Sequence, residues 1–412
     1  MKFRSLFIFT IGLLSAINLL AQTPPVKTLV DMETKSNGAG VRSNESVQMV
    51  NYEIPLELIS EGKDFNLSPQ LYNSMVVVKN GKKLVRWVIN PEDTKWFKEV
   101  ENFLRSHNIE PVRHNYFKGY QTASRSYIVI DPNNGAQFSI KTSTNQTGGA
   151  WKDKKQDYKD GFDILLISDL MKKIQAQKPF EHTVIMQEPL VFGVETIDQS
   201  IVIRELADIA VNEEFIYIPG FSVLHEETGK QIAKANGSSD PAAFWNEHYV
   251  KPMARSAAEV VARTGIWYDS PHGQNFLVEL TKDLKPTGRM VLRDLGDIYI
   301  NEPMMKALGE NEVLKKFSTK ENISTDLSVS FGPLHGNKVP SWVNDHVYKS
   351  WAKTFFKTFR ADYFQRTGIM VKEYNASHGF SYFGLSVDTH SKSFDDYNKI
   401  LSAPKMCRSL FR

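Results

Sequence analysis

The chain has 412 residues, 41% of them hydrophobic and 24% charged, which suits one large domain or two to three smaller ones. The 50 Lys and Arg against 47 Asp and Glu leave a formal charge of +3, which gives no ground for nucleic acid or an anionic membrane as partner. The single cysteine, Cys407, excludes an intramolecular disulfide, a cysteine zinc cluster and an iron–sulfur centre.

Residues 1–21 carry Lys2 and Arg4, an apolar run from Leu6 to Leu20, and Ala21 at a small-residue cut. This is the layout of a secretory signal peptide and predicts an exported, periplasmic or secreted body. A retained anchor is the alternative, and in both cases the positive end stays inside. No later stretch reaches about 18 consecutive apolar residues, so no span is expected after signal removal. Residues 22–50, rich in Ser, Asn, Thr, Gly and charge, are expected to be a flexible lead-in. The rest divides at about Ala235 into an N-terminal α+β part, 51–235, and a C-terminal part, 236–412.

Trp96, Phe97, Val100, Phe103 and Leu104 recur at helical spacing and predict a helix over 91–108. Ile128 to Ile130 form a strand that stops at Asp131-Pro132-Asn133-Asn134-Gly135, and Phe138 to Thr142 is its hairpin partner. A helix follows over 159–177, with Phe162, Leu165, Leu166, Leu170, Met171 and Ile174 on one face. Residues 182–192 and 198–204 predict strands. Asp240-Pro241 starts a helix that runs to Thr264, with a break at Pro252, and Gly265 ends it. Phe276–Leu280 and Met290–Arg293 predict paired strands. Helices are expected over 302–317, 345–366 and 393–402. Helices and strands mix without βαβ alternation, which predicts an α+β fold with a mixed or antiparallel sheet core and packed helices.

The chemistry concentrates at the ends of that second hairpin. His272, Gln274 and Asn275 precede its first strand, and Arg293, Asp294 and Asp297 follow its second. A cation, an imidazole, two amides and two carboxylates then converge. Oxygen ligands from Asp and Asn suit Mg²⁺, while Arg and His offset phosphate charge, so the mix suits a nucleoside triphosphate with its metal. A solvated polar hairpin end is the alternative on these residues alone.

The run from Tyr249 through Gly265-Ile266, His272-Gly273-Gln274-Asn275 and Arg293-Asp294 resembles the central signature of the NRPS-independent siderophore synthetases related to the aerobactin enzymes. Upstream, Ser124-Arg125-Ser126 resembles that family's phosphate-contacting segment, and Phe138-Ser139-Ile140-Lys141 its lysine-bearing strand. The resemblance covers about residues 115–300, and the chain is shorter than most members. It implies a palm around a cleft that binds ATP and Mg²⁺, and an ATP-dependent ligase that joins a citrate-like acid to an amine or alcohol. It implies that Arg125, Lys141 and His272 act in catalysis. Ser124, Ser126, Thr147, Lys152, Gln274 and Arg293 would contact nucleotide, and Asn275, Asp294 and Asp297 would hold the metal. A homodimer stays open. The sequence departs from the family pattern at Ser270, where a glutamate is usual, at Ala123, and at Gly296, where an acid is frequent. No second arginine follows the lysine strand; Lys152, Lys154 and Lys155 occupy that region. An exported protein meets little ATP, so an exported carboxylate- or siderophore-binding protein without turnover, or a secreted nucleotide-using effector, stays open beside the ligase.

Other motifs point nowhere. There is no Gly-x-x-x-x-Gly-Lys-Ser/Thr loop or Gly-x-Gly-x-x-Gly. His225-Glu226-Glu227 lacks the second histidine of a zinc protease.

Overall fold

The computed structural model describes residues 25–36, 46–89, 93–122, 125–145, 154–210, 214–268, 271–320, 323–331, 340–377 and 382–388. Residues 1–21, expected to be a signal peptide, Ser124, Thr147, Lys152 and the helix expected over 393–402 lie outside them. The fold is α+β, with sheets that are mostly antiparallel and helices packed against them. Among the described residues no helix is long and apolar enough to cross a membrane.

The largest sheet has seven strands, in the spatial order 46–48, 118–121, 126–130, 137–141, 199–204, 190–194 and 60–63. Its neighbouring strands all pair antiparallel. Strand alternation sorts its side chains between two faces. Tyr127, Val129, Phe138, Ile140, Ile201 and Ile203 enter a core with Trp96, Phe97, Val100 and Leu104 of the helix Thr94–Ser106. That helix starts where the Asp93 carboxylate accepts from the Trp96 N–H. The register sets Ser126 across from Lys141 on one side and Val202 across from Lys141 on the other. Ser139 lies across from Arg204. The polar side chains of these strands therefore share the opposite face.

That face looks toward a four-stranded sheet ordered 215–219, 276–281, 286–292, 183–185, whose last pairing is parallel. The expected hairpin is present, with Phe276 across from Leu292 and Val278 across from Met290. Strand Phe215–Pro219 pairs with Phe276–Thr281, so this sheet joins segments from both sides of Ala235. The helix Tyr158–Gln177 packs against the large sheet, with Ile167 and Met171 fully buried. Phe162, Leu165 and Leu166 are only partly buried, so the apolar face is rotated toward Ile164 and Ile167.

Several expectations need correction. Residues 25–36, read as part of a flexible lead-in, form the helix Pro25–Ser36. Its Leu29 and Val30 are fully buried and join Ile128 of the large sheet to Tyr217, Leu277 and Val291 of the small one. Two apolar residues are a weak sequence signal, but they fill the seam between two sheets. The strand expected over 182–192 is two, Thr183–Ile185 and Leu190–Val194, in different sheets. The helix expected over 302–317 breaks at Gly309, which takes φ 75°. The break expected at Pro252 is a π turn just before it, Asn246–Val250, and the proline opens the next helix, Lys251–Thr264. Gly265 caps that helix at φ 72°, as expected.

Candidate functional site

The two sheets meet at Asp294. This residue follows the strand Pro286–Leu292 and adopts φ 68°, a conformation aspartate tolerates better than most residues. Its carbonyl accepts from the Tyr268 hydroxyl at 3.0 Å. The next residue, Leu295, donates its N–H to Glu188 Oε2 at 3.0 Å. The turn is tethered on both sides, and the carboxylate is held at the rim, with the side chain 30% exposed.

Three cations surround that carboxylate. Lys141 Nζ lies 2.6 Å from Asp294 Oδ1, with only 4% of its side chain exposed. Arg204 Nη2 lies 3.7 Å from the same oxygen. Arg204 is itself held by Glu188 Oε1, which accepts from Nε at 3.1 Å and from Nη2 at 2.7 Å. Arg125 donates to the Lys155 carbonyl, and its Nε is buried with no hydrogen-bond partner. Burial pulls the Arg125 and Lys141 pKa values below their ordinary ranges, and Asp294 opposes this in both. Burial alone would raise the Asp294 pKa, but Lys141 and Arg204 outweigh it and hold the carboxyl well below the usual range. Three cations, Arg125, Lys141 and Arg204, thus face two carboxylates, Glu188 and Asp294. Further out, Asp157 and Asp160 also act on Arg125, and Lys154 and Asp297 lie in the same field, so the positive excess is confined to this inner group around Asp294.

The imidazole–amide loop lies at the same end of the hairpin as Asp294. The His272 carbonyl accepts from the Asn275 and Phe276 N–H groups at 2.9 and 3.3 Å. His272 Nδ1 accepts from the Gln274 N–H at 3.2 Å, which assigns the proton of a neutral ring to Nε2. Arg293 ties the loop to the hairpin. Its N–H donates to the Asn275 carbonyl and its Nε to the Gln274 carbonyl, both at 3.1 Å. Arg293, expected to contact nucleotide, is 5% exposed and bonds the loop backbone. On the other side the loop rests on Gly220. A Cβ there would stand 2.2 Å from the Tyr249 Oη and 2.9 Å from the Gly273 carbonyl. We expect Gly220→Ala to destabilise the protein by about 1–3 kcal/mol through overpacking and to weaken ligand binding by shifting His272. An unchanged unfolding midpoint would remove the glycine from this account.

The structure brings together Arg125, Lys141, Ser126 and Asp294, and links His272, Gln274 and Asn275 to them through Arg293. Ser126 sits directly across from Lys141 and is buried. Asp297 is exposed and Asn275 half-buried. Among the described residues no group of three or more His, Cys, Asp or Glu side chains is placed to hold a metal. Asp294 also faces two cations through one oxygen, and two like unit charges about 4 Å apart repel by about 4 kcal/mol at an effective dielectric of 20. Asp294 is engaged by Lys141 and Arg204 through Oδ1 and Asp297 is exposed, so Asn275, Asp294 and Asp297 do not form a ready-made Mg²⁺ site as placed here.

Sequence reading missed Glu188 and Arg204. The available signal was a charge inside apolar surroundings: Arg204 closes the run Ser200-Ile201-Val202-Ile203, and Glu188 lies between Ile185-Met186 and Leu190-Val191. Neither fits a half-buried strand pattern, and both are almost wholly buried.

No protein-family model matches the sequence, and no curated protein does. Solved structures are similar in fold. Aerobactin synthetase IucC from Klebsiella pneumoniae matches with a TM-score of 0.56 at 14% identity, over 78% of this chain and 63% of that one. The petrobactin biosynthesis protein AsbB from Bacillus anthracis gives 0.57 at 13%, over 76% and 61%. ATP-bound aerobactin synthetase IucA from Klebsiella pneumoniae gives 0.55 at 13%, over 83% and 69%. The chain thus spans less than two thirds of the length of IucC and AsbB. The similarity establishes the shared fold.

Proposed function

We propose that this protein is an ATP-dependent ligase that activates a polycarboxylic acid such as citrate and joins it to an amine or alcohol. The observation that carries this reading is the excess of buried positive charge around Asp294, next to the His272–Asn275 loop, on a fold shared with siderophore synthetases. Such a cluster attracts carboxylate and phosphate oxygens in a water-poor setting, where electrostatic stabilisation is strongest.

In the first step a carboxylate oxygen of the acid attacks the α-phosphorus of ATP. The new P–O bond makes an acyl-adenylate, and the α,β-anhydride bond breaks to release pyrophosphate. In the second step the amine nitrogen or alcohol oxygen attacks the acyl carbon, AMP leaves, and the nucleophile gives up its proton. Lys141 and Arg125 offset phosphate charge as it moves onto the leaving oxygens. His272 Nε2–H donates to a phosphate or acyl oxygen, and Ser126 lies beside Lys141 to orient it. No step is routed through Mg²⁺, because Asp294 is engaged by Lys141 and Arg204.

The leader-like residues 1–21 motivate a second reading, in which an exported chain binds a carboxylate or siderophore at the same cations without turnover. One assay separates the two. Protein incubated with ATP, Mg²⁺ and hydroxylamine is tested against a panel of polycarboxylic acids. Acid-dependent AMP, pyrophosphate and hydroxamate are expected. Citrate or ferric-siderophore binding by calorimetry without AMP would favour the binding protein. Neither turnover nor binding would exclude both.

A further inference from the structure

We propose that Asp294 is the resident counter-ion of this cation cluster, standing where a ligand's carboxylate or phosphate oxygen will lie, and that an incoming anion displaces it from Lys141. The inference rests on the anion-binding reading above and adds what partners Lys141 before an anion arrives.

Lys141 reaches this carboxylate from an almost wholly buried position, and no other salt bridge to it is found among the described residues. A buried ammonium without a partner is strongly disfavoured, so Lys141 needs an anion beside it. Asp294 supplies one from the rim. Its main chain is fixed by the Tyr268 hydroxyl and by the bond between Leu295 and Glu188, while its side chain is 30% exposed. Rotation about its side-chain bonds would free Lys141 without moving the turn. Arg204 is held by Glu188, to which its Nε and Nη2 donate at 3.1 and 2.7 Å, and its contact with Asp294 is longer, 3.7 Å. It stays in place when the carboxylate leaves. The cluster can therefore exchange one internal acceptor for an external one with its remaining geometry intact.

A counter-ion competes with the ligand, whereas a metal ligand assists it. The two roles predict opposite effects of Asp294→Asn. Asparagine is nearly isosteric and tolerates the left-handed backbone at this position. Binding of inorganic pyrophosphate and of citrate is measured by calorimetry on the full chain in metal-free buffer. We expect Asp294→Asn to bind pyrophosphate about tenfold tighter or more, because the competing state is removed. Adding Lys141→Met to Asp294→Asn should cancel the gain. Equal or weaker binding by the variant, with wild-type binding intact, would overturn the counter-ion role and leave the ligase reading standing. No binding of pyrophosphate, citrate or ATP by the wild type would overturn both. A second measurement needs no variant: Mn²⁺ is titrated into wild-type protein without nucleotide and followed by electron paramagnetic resonance. Unbound Mn²⁺ throughout is expected. Mn²⁺ held at the site, with Asp294→Asn abolishing it, would make Asp294 a metal ligand and overturn the proposal.

Discussion

Glu188→Ala is expected to destabilise the protein by about 3–5 kcal/mol, the cost of leaving one member of a buried ion pair alone. Glu188 is fully buried and performs two tasks at once. Its Oε1 accepts both bonds from Arg204, and its Oε2 accepts the Leu295 N–H that anchors the Asp294 turn. Its own N–H is bonded to Ser168 Oγ at 2.7 Å, so its position is set before its side chain acts. Alanine leaves the Arg204 guanidinium charged and uncompensated, and it orphans a backbone donor. Since whole domains are stable by only about 5–15 kcal/mol, the loss is a large share of the total. Glu188→Gln should lose less, because an amide oxygen still accepts from Leu295 or Arg204. Urea unfolding of the two variants beside wild type reads this directly. A change under about 1 kcal/mol in Glu188→Ala would mean that Arg204 is not left buried and uncompensated, and would overturn this role of Glu188.

Lys141→Met is expected to lower the rate of acid-dependent AMP formation by about 100-fold or more, the scale of removing one donor aimed at developing negative charge. Methionine keeps most of the buried stem and removes only the charge. Asp294 then retains Arg204 at 3.7 Å and partial contact with water, so the fold should survive. Lys141→Arg is not expected to rescue activity, because a planar guanidinium needs room and partners that an almost wholly buried ammonium site lacks. Turnover and circular dichroism are compared for both variants. Activity within threefold of wild type in a folded Lys141→Met protein would remove Lys141 from the mechanism.

The four remote segments that carry the site are not equally visible in the sequence. Lys141 and Arg125 were singled out by the resemblance of Ser124-Arg125-Ser126 and Phe138-Ser139-Ile140-Lys141 to siderophore synthetase segments, and the hairpin that turns at Asp131 to Gly135 forms as expected, with Ser126 across from Lys141 at its open end. His272 to Asn275 and Arg293-Asp294 were visible because dense polar residues flank two apolar strands. Glu188 and Arg204 were not, because a charge satisfied by a distant partner looks like any surface charge until the partner is placed. Arg293 was assigned to nucleotide because guanidinium groups suit phosphate. Its bond to the Gln274 carbonyl depends on how the loop returns past the hairpin end, which spacing does not encode.

Local patterns of polarity and turn residues by themselves determined the α+β class, the two hairpins, the helix stop at Gly265 and the presence of a polar hairpin end. Those features depend on neighbours a few residues apart. Only the tertiary structure decided that Pro25–Ser36 is a helix filling the seam between the sheets, that Lys141 meets Asp294, and that the supposed metal carboxylate faces cations. These outcomes depend on which distant groups share a buried space, where an unpaired charge is so costly that its partner determines its role.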